Sequence, residues 1–223
     1  ALIATQRFLL TIPTAWAVVL PLDEWGDCRP LTRRAWGELK DSAEKRIQVM
    51  DPRNNPITEL EQAVEKNEFN ALVDGFLGMQ AKLPLRDPLP EILQWINQCD
   101  KIAVRVAVDL PTGVTAEGTE NPFRADFTYC TGIVKEPVLD PTNAEWVGRL
   151  CYLNLGFFKD ADPSGCTSRV LRSDALRALR KLRRADGDKR AHGHLFMLAG
   201  SGSLGGAAMM AAQGALKAGV GLI

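Results

Sequence analysis

Apolar runs of strand length alternate along this chain with segments whose apolar residues recur at helical spacing. The opening ALIATQRFLL reads as an amphipathic helix with no cap before it, and AWAVVLPL, residues 15–22, as a first strand. Residues 31–50 read as one long amphipathic helix, with Trp36, Leu39, Ala43 and Ile47 on a single face. FNALVDGFLG (69–78) predicts a second strand ending in Asp74 and glycines, LPEILQWINQC a helix, and KIAVRVAVDLPTG a third strand. ADFTYCTGIV (125–134) and GRLCYLNLGFF (148–158) predict two more. Near-continuous apolar strands separated by helices predict an α/β fold with a parallel sheet covered on both faces. Arg105 interrupts the third strand and argues against its full burial.

After residue 158 the pattern changes. KDADPSGCTSR is a polar loop with Pro and Gly, a domain boundary by composition. A helix with Ser173 as its predicted N-cap and leucines behind it follows. The basic run over 177–190 reads as a solvated helix face and linker rather than a nucleic-acid contact. HLFMLAG then predicts a buried strand, SGSLGG a glycine-rich turn, AAMMAAQGALKAG a small-residue helix, and the final GVGLI the start of another strand. Neither end carries the caps or loops that usually bound a domain, so the pattern reads as a piece of a longer chain.

Composition narrows the function classes. Among 223 residues, 27 Lys+Arg balance 27 Asp+Glu, which removes the basic field of a non-specific nucleic-acid binder. No apolar run reaches the roughly 18–20 residues of a membrane span, and no signal peptide is recognisable. Five scattered cysteines, Cys28, Cys99, Cys130, Cys151 and Cys166, form no CxxC pair. They fit reduced thiols in a cytoplasmic protein better than a zinc site or a disulfide framework. His192 and His194 are the only histidines, which excludes any Ser-His-Asp or Cys-His arrangement built elsewhere in this chain and leaves HGH without a third metal ligand.

Two constellations carry candidate chemistry. Asp74 and Asp109 both stand at the carboxyl ends of predicted strands, where open α/β sheets bind ligands. Two carboxylates at neighbouring strand ends repel unless a cation or protonated ligand lies between them. Asp74, the Thr112 hydroxyl and loop carbonyls are hard oxygen ligands suited to an alkali or alkaline-earth ion. The alternative is that both aspartates cap the turns that follow them, as Asp commonly does. The second constellation is strand, GSGSLGG, helix, a place where backbone N–H groups can approach a phosphate. It is not a GxGxxG in register, and no GxxxxGK[ST] occurs.

The segments LVDGFLG, LPLRDPLPEILQWIN, VAVDLPTGV, ADFTYCTGIVK and GRLCYLNLGF, taken in order, resemble the YjeF N-terminal domain. In that family D-A-L-L-G-T-G, D-I-P-S-G, A-D with a later lysine, G-R-V and D-I-G follow one another. The resemblance covers about residues 1–158 and implies a Rossmann-like parallel sheet with NAD(P)H-hydrate epimerase activity. After a linker at 159–190, residues 191–223 resemble the opening of the ribokinase-like YjeF C-terminal domain, an NAD(P)H-hydrate dehydratase using ADP or ATP with Mg2+. Together they imply a bifunctional enzyme repairing NADHX and NADPHX, with no nucleic-acid or membrane partner and room for a homo-oligomer.

By position, Asp74 is similar to the family's K+ ligand, and Thr112 takes the place of the serine that is a second one. Asp109 matches the aspartate at the hydrated nicotinamide ring. Gly78, Met79, Gln80, Ala81, Lys82, Leu83 and Pro84 match the loop that lies against substrate. Ala207 falls where the C-terminal domain meets the S-form hydrate. The family's N-N-G-G-D-G segment belongs before Ala1. G-T-G reads Gly78-Met79-Gln80 here, and D-I-G reads Asn154-Leu155-Gly156. The domain also occurs as a non-catalytic binding or scaffold module, the alternative that Gly-Met-Gln keeps open.

Overall fold

The computed structural model describes residues 1–51, 54–78, 81–156, 177, 187–203 and 205–223. The chain divides into two compact units, Ala1–Ser164 and Gly165–Ile223.

In the first unit, α1 (Leu2–Thr11) leads to β1 (Ala17–Val19), α2 (Pro30–Ala43), β2 (Ile47–Val49), α3 (Pro56–Lys66) and β3 (Leu72–Asp74). Then come α4 (Leu89–Gln98), β4 (Arg105–Val108), β5 (Phe127–Thr131), the short α5 (Ala144–Val147) and β6 (Arg149–Leu153). β1 and β2 pair in parallel, and β3-β4-β5-β6 form a second, wholly parallel sheet. The expected parallel α/β architecture is therefore present.

Two boundaries differ from the pattern-based expectation. The helix predicted over 31–50 stops at Ala43, and after one 3-10 turn Ile47–Val49 is strand β2. Helical spacing runs on through Ile47, but the β-branched Ile47 and Val49 pair with Ala17 and Val19 instead, and that partner decides. α3 was not anticipated although its start signal is written in the sequence. The Asn55 side chain accepts from Ile57 and Thr58 N–H, and Pro56 opens the helix.

β1 shows how the layers form. Ala17 and Val19 pack with Leu9 of α1 and Leu39 and Ala43 of α2, whereas Val18 turns the other way into the main core. That core is carried by α4, whose Leu89, Ile92, Leu93 and Ile96 repeat at one helical face and are all buried. Phe123, Ala107 and Ile102 close it. The four-stranded sheet is covered less evenly than expected. Pairing register puts Asp74, Ala107 and Thr128 on one face, all buried. On the other, Val73 stands 37% exposed and Val106 and Phe127 half-buried among the described residues.

Arg105 lies in β4 because its charge leaves the sheet. Its guanidinium donates to the carbonyl of Ile96 in the last turn of α4 and to those of Cys99 and Ile102 just beyond it. The carbonyls of the last turn form the negative end of the helix dipole, which favours a cation there. Asn97 completes the tie between layers, donating to Pro122 C=O and accepting from Arg124 N–H.

In the second unit, α6 (Gly206–Lys217) follows the glycine-rich turn, as its small residues predict. HLFMLAG is not the buried strand expected. His194 makes a single parallel bridge to Leu222, and Phe196 and Leu198 are exposed. A strand needs a paired, covered neighbour to bury its side chains, and none stands there among the described residues. The predicted helix capped by Ser173 lies outside the described residues.

Candidate ligand site at the ends of two parallel strands

β3 and β4 are neighbours, with Asp74 in register with Ala107. Asp74 and Asp109 therefore leave the same edge of the sheet, as the strand-end reading requires. Their environments are different.

Asp74 is 1% exposed. Thr112 holds both of its oxygens: the backbone N–H donates to Oδ2 at 2.7 Å, and the hydroxyl donates to Oδ1 at 2.8 Å. Phe76 N–H also reaches Oδ1, at 3.2 Å. The Thr112 hydroxyl in turn accepts from Leu77 N–H at 3.3 Å, which ties the loop after β3 to the turn after β4. Burial pushes the Asp74 carboxyl up to about 6, against the opposing pull of the Thr112 and Phe76 hydrogen bonds. The ammonium of Ala1 also opposes the rise. A buried carboxylate and the Thr112 hydroxyl are hard oxygen donors, the type that holds an alkali cation.

Asp109 is built otherwise. Its φ is +77°, and Leu110 N–H donates back to Val108 C=O at 3.0 Å, so Asp109 sits at the centre of a γ-turn of the rare positive-φ form. A non-glycine residue there stores strain, a feature that clusters at functional sites. Its own N–H still donates to Tyr129 C=O and so continues the ladder. The turn swings the carboxylate toward β5, where Oδ1 accepts from the Thr131 hydroxyl at 2.9 Å and from the Lys135 ammonium. The Asp109 and Lys135 side chains are 18% and 11% exposed.

A second γ-turn stands beside the first. Gly132 has φ +73°, and Ile133 N–H donates to Thr131 C=O at 2.8 Å. This reversal brings Lys135 back so that its Nζ also donates to Thr131 C=O at 3.1 Å. Gly113 completes the turn after Asp109. At φ +91°, a Cβ there would lie 2.5 Å from Glu120 C=O and 2.8 Å from Pro122 Cα.

The turn-capping alternative is partly realised, since Asp74 does accept from Phe76 N–H two residues on. Asp109 does not cap its own turn; its carboxylate bonds to another strand. Of the predicted substrate loop, Gly78 C=O accepts from Ala81 N–H, Leu83 packs on the main core, and Lys82 and Pro84 are exposed. Met79 and Gln80 lie outside the described residues. Ala207 is an exposed residue in the first turn of α6, in the second unit. Among the described residues no three of His, Cys, Asp and Glu gather at one point, and no helix is long and apolar enough to cross a membrane. Sequence reasoning passed over the roles of Thr131 and Lys135. The signal was a lone lysine closing an apolar run just after a Thr-Gly pair.

A wholly parallel four-stranded sheet with an acidic pair at neighbouring strand ends places the protein in the open α/β class, in which ligands bind outside the carboxyl ends of strands. Residues 16–136 match the model of the family described as YjeF-related protein N-terminus. The chain belongs to that family. It is 33% identical over 161 residues to a bifunctional NAD(P)H-hydrate repair enzyme Nnr of Gloeobacter violaceus, covering 68% of this chain and 31% of the relative. It is 27% identical to the enzyme of the same name from Helicobacter pylori, covering all of this chain and 50% of the relative. An NAD(P)H-hydrate epimerase of Rhodopirellula baltica is 31% identical over 132 residues, 56% of this chain and 53% of that protein. The chain thus spans about half the length, or less, of these relatives.

Proposed function

We propose that this chain carries the epimerase part of a nicotinamide-cofactor repair enzyme and interconverts the R and S forms of NADHX and NADPHX. The observation that carries the reading is the carboxylate of Asp109, held by a strained turn at a strand end and fixed through one oxygen. The names of the relatives, NAD(P)H-hydrate repair enzyme and epimerase, supply the substrate class.

Asp109 is the acid/base residue of this proposal. Epimerisation at the hydroxyl-bearing ring carbon needs reversible loss and return of the substituent, or opening of the ring, and proton transfer accompanies either route. A positioned carboxylate typically contributes 10²–10⁴-fold to such a step. Asp74 and Thr112 would hold a K+ ion, which supplies positive charge against the cofactor's phosphates and draws the loops after β3 and β4 together. Gly78, Ala81, Lys82, Leu83 and Pro84, with Met79 and Gln80, form the loop assigned to the substrate's flank.

In the longer protein the reading couples this step to ADP- or ATP-dependent dehydration of the S-form by a ribokinase-like domain beginning near residue 191. Ala207 would touch the hydrate in that domain. Support for this half is the alignment of the whole chain to the Helicobacter pylori relative and the turn-then-helix order that ends in α6. The test is Asp109→Asn in the full-length protein, assayed with purified R-hydrate and dehydratase in excess. The proposal expects at least a 10²-fold loss of epimerisation; an unchanged rate overturns it.

A further inference from the structure

Asp109 uses its two oxygens unequally. Oδ1 accepts from the Thr131 hydroxyl at 2.9 Å, from Thr131 N–H at 3.4 Å and from the Lys135 ammonium. Among the described residues no donor meets Oδ2. Lys135 is itself held at a second point, Thr131 C=O, and is largely buried. The Tyr152 hydroxyl donates to Gly132 C=O at 2.9 Å and so braces the turn that delivers the lysine.

An exposed lysine–carboxylate pair would be worth little, because two long side chains lose freedom to make it. This one is enclosed and anchored on both partners, with charge-assisted bonds that are shorter and stronger than neutral ones. Three donors on one oxygen fix the plane of the carboxylate and occupy that oxygen's lone pairs. The lone pairs left over belong to Oδ2.

We propose that Lys135 is a positioning residue which, with Thr131, locks Oδ1 of Asp109 so that Oδ2 alone is presented to the hydroxylated nicotinamide ring. The proposal rests on the reading of Asp109 as the acid/base residue. Lys135 then acts through Asp109 and makes no separate contribution to substrate binding. Misplacing a reacting group by about 1 Å can cost about 10²-fold in rate.

The experiment is a double-mutant cycle in the full-length protein with purified R-hydrate as substrate. Lys135→Met is expected to lower kcat about 10- to 100-fold with KM changed less than about threefold, and Lys135→Arg to recover most of that loss. Added to Asp109→Asn, Lys135→Met should cost nothing more, because both act through one carboxylate. Thr131→Val, which keeps the lysine, repeats the test with a smaller expected loss and carries it if Lys135→Met fails to fold. Losses that multiply with Asp109→Asn, or full activity in both Lys135→Met and Thr131→Val, overturn the proposal. An active Asp109→Asn protein instead overturns the epimerase reading on which it rests, and the proposal with it.

Discussion

Thr112 grips both oxygens of the Asp74 carboxylate, its N–H on Oδ2 at 2.7 Å and its hydroxyl on Oδ1 at 2.8 Å. One residue of the turn after β4 thereby closes the end of β3. The hydroxyl also receives Leu77 N–H, so the clamp spans both loops that frame the site.

Thr112→Val removes the donor to Asp74 and the acceptor for Leu77 while keeping shape. Leaving buried polar groups unsatisfied costs about 1–3 kcal/mol. Denaturant melts should show a loss of that size, and Thr112→Ser should restore most of it because the hydroxyl returns.

The raised carboxyl of Asp74 makes stability depend on pH in a stated direction. Its folded value, about 6, lies above the unfolded 3.8, so the folded state holds the proton more tightly. The stabilisation from that proton is complete below about 3.8 and lost as pH rises through about 6, a span worth about 3 kcal/mol at 1.36 kcal/mol per unit. Measured between pH 4 and 7.5, wild type should lose stability relative to Asp74→Asn by up to that amount. Added K+ should raise the melting temperature of wild type more at pH 7.5 than at pH 5, and should have no such effect on Asp74→Asn.

Gly113 sets the clamp's position. Gly113→Ala would drive a methyl to 2.5 Å from Glu120 C=O at a φ of +91°. The expected result is a loss of about 1–3 kcal/mol in stability, together with weaker K+ stabilisation because Thr112 moves. Urea unfolding with and without K+ measures both.

Arg105→Met keeps the apolar stem but abandons the carbonyls of Ile96, Cys99 and Ile102. Hydrogen bonds to a charged group contribute about 1.5–3 kcal/mol. Thermal melts should fall accordingly, and amide exchange in the last turn of α4 should accelerate before the rest of the helix.

Strands β1, β3, β4, β5 and β6, the helix of residues 89–98 and the strand-end aspartates were legible because period and position along the chain encode them. β2 was not, since Ile47 continues a helical face and only its pairing with β1 makes it a strand. Arg105 looked like a defect in a buried strand, yet its destination lies on a helix that precedes it. Asp109 could be placed at a strand end from sequence, whereas its tie to Thr131 and Lys135 depends on parallel pairing across 22 and 26 residues. No local pattern reports which oxygen of a carboxylate is occupied. The exposed apolar side chains Phe196 and Leu198 mark the opposite case, where an apolar run suggested burial that its surroundings do not provide.

The two adjacent γ-turns, centred on Asp109 and Gly132, reverse the chain in three residues each. With so short a reversal there is no slack to absorb a change in length. Deleting or inserting one residue at either turn would send the carboxylate or the ammonium to the wrong side of its strand. The geometry of the site is in this sense counted out residue by residue, and its spacing is as much a part of the chemistry as its side chains.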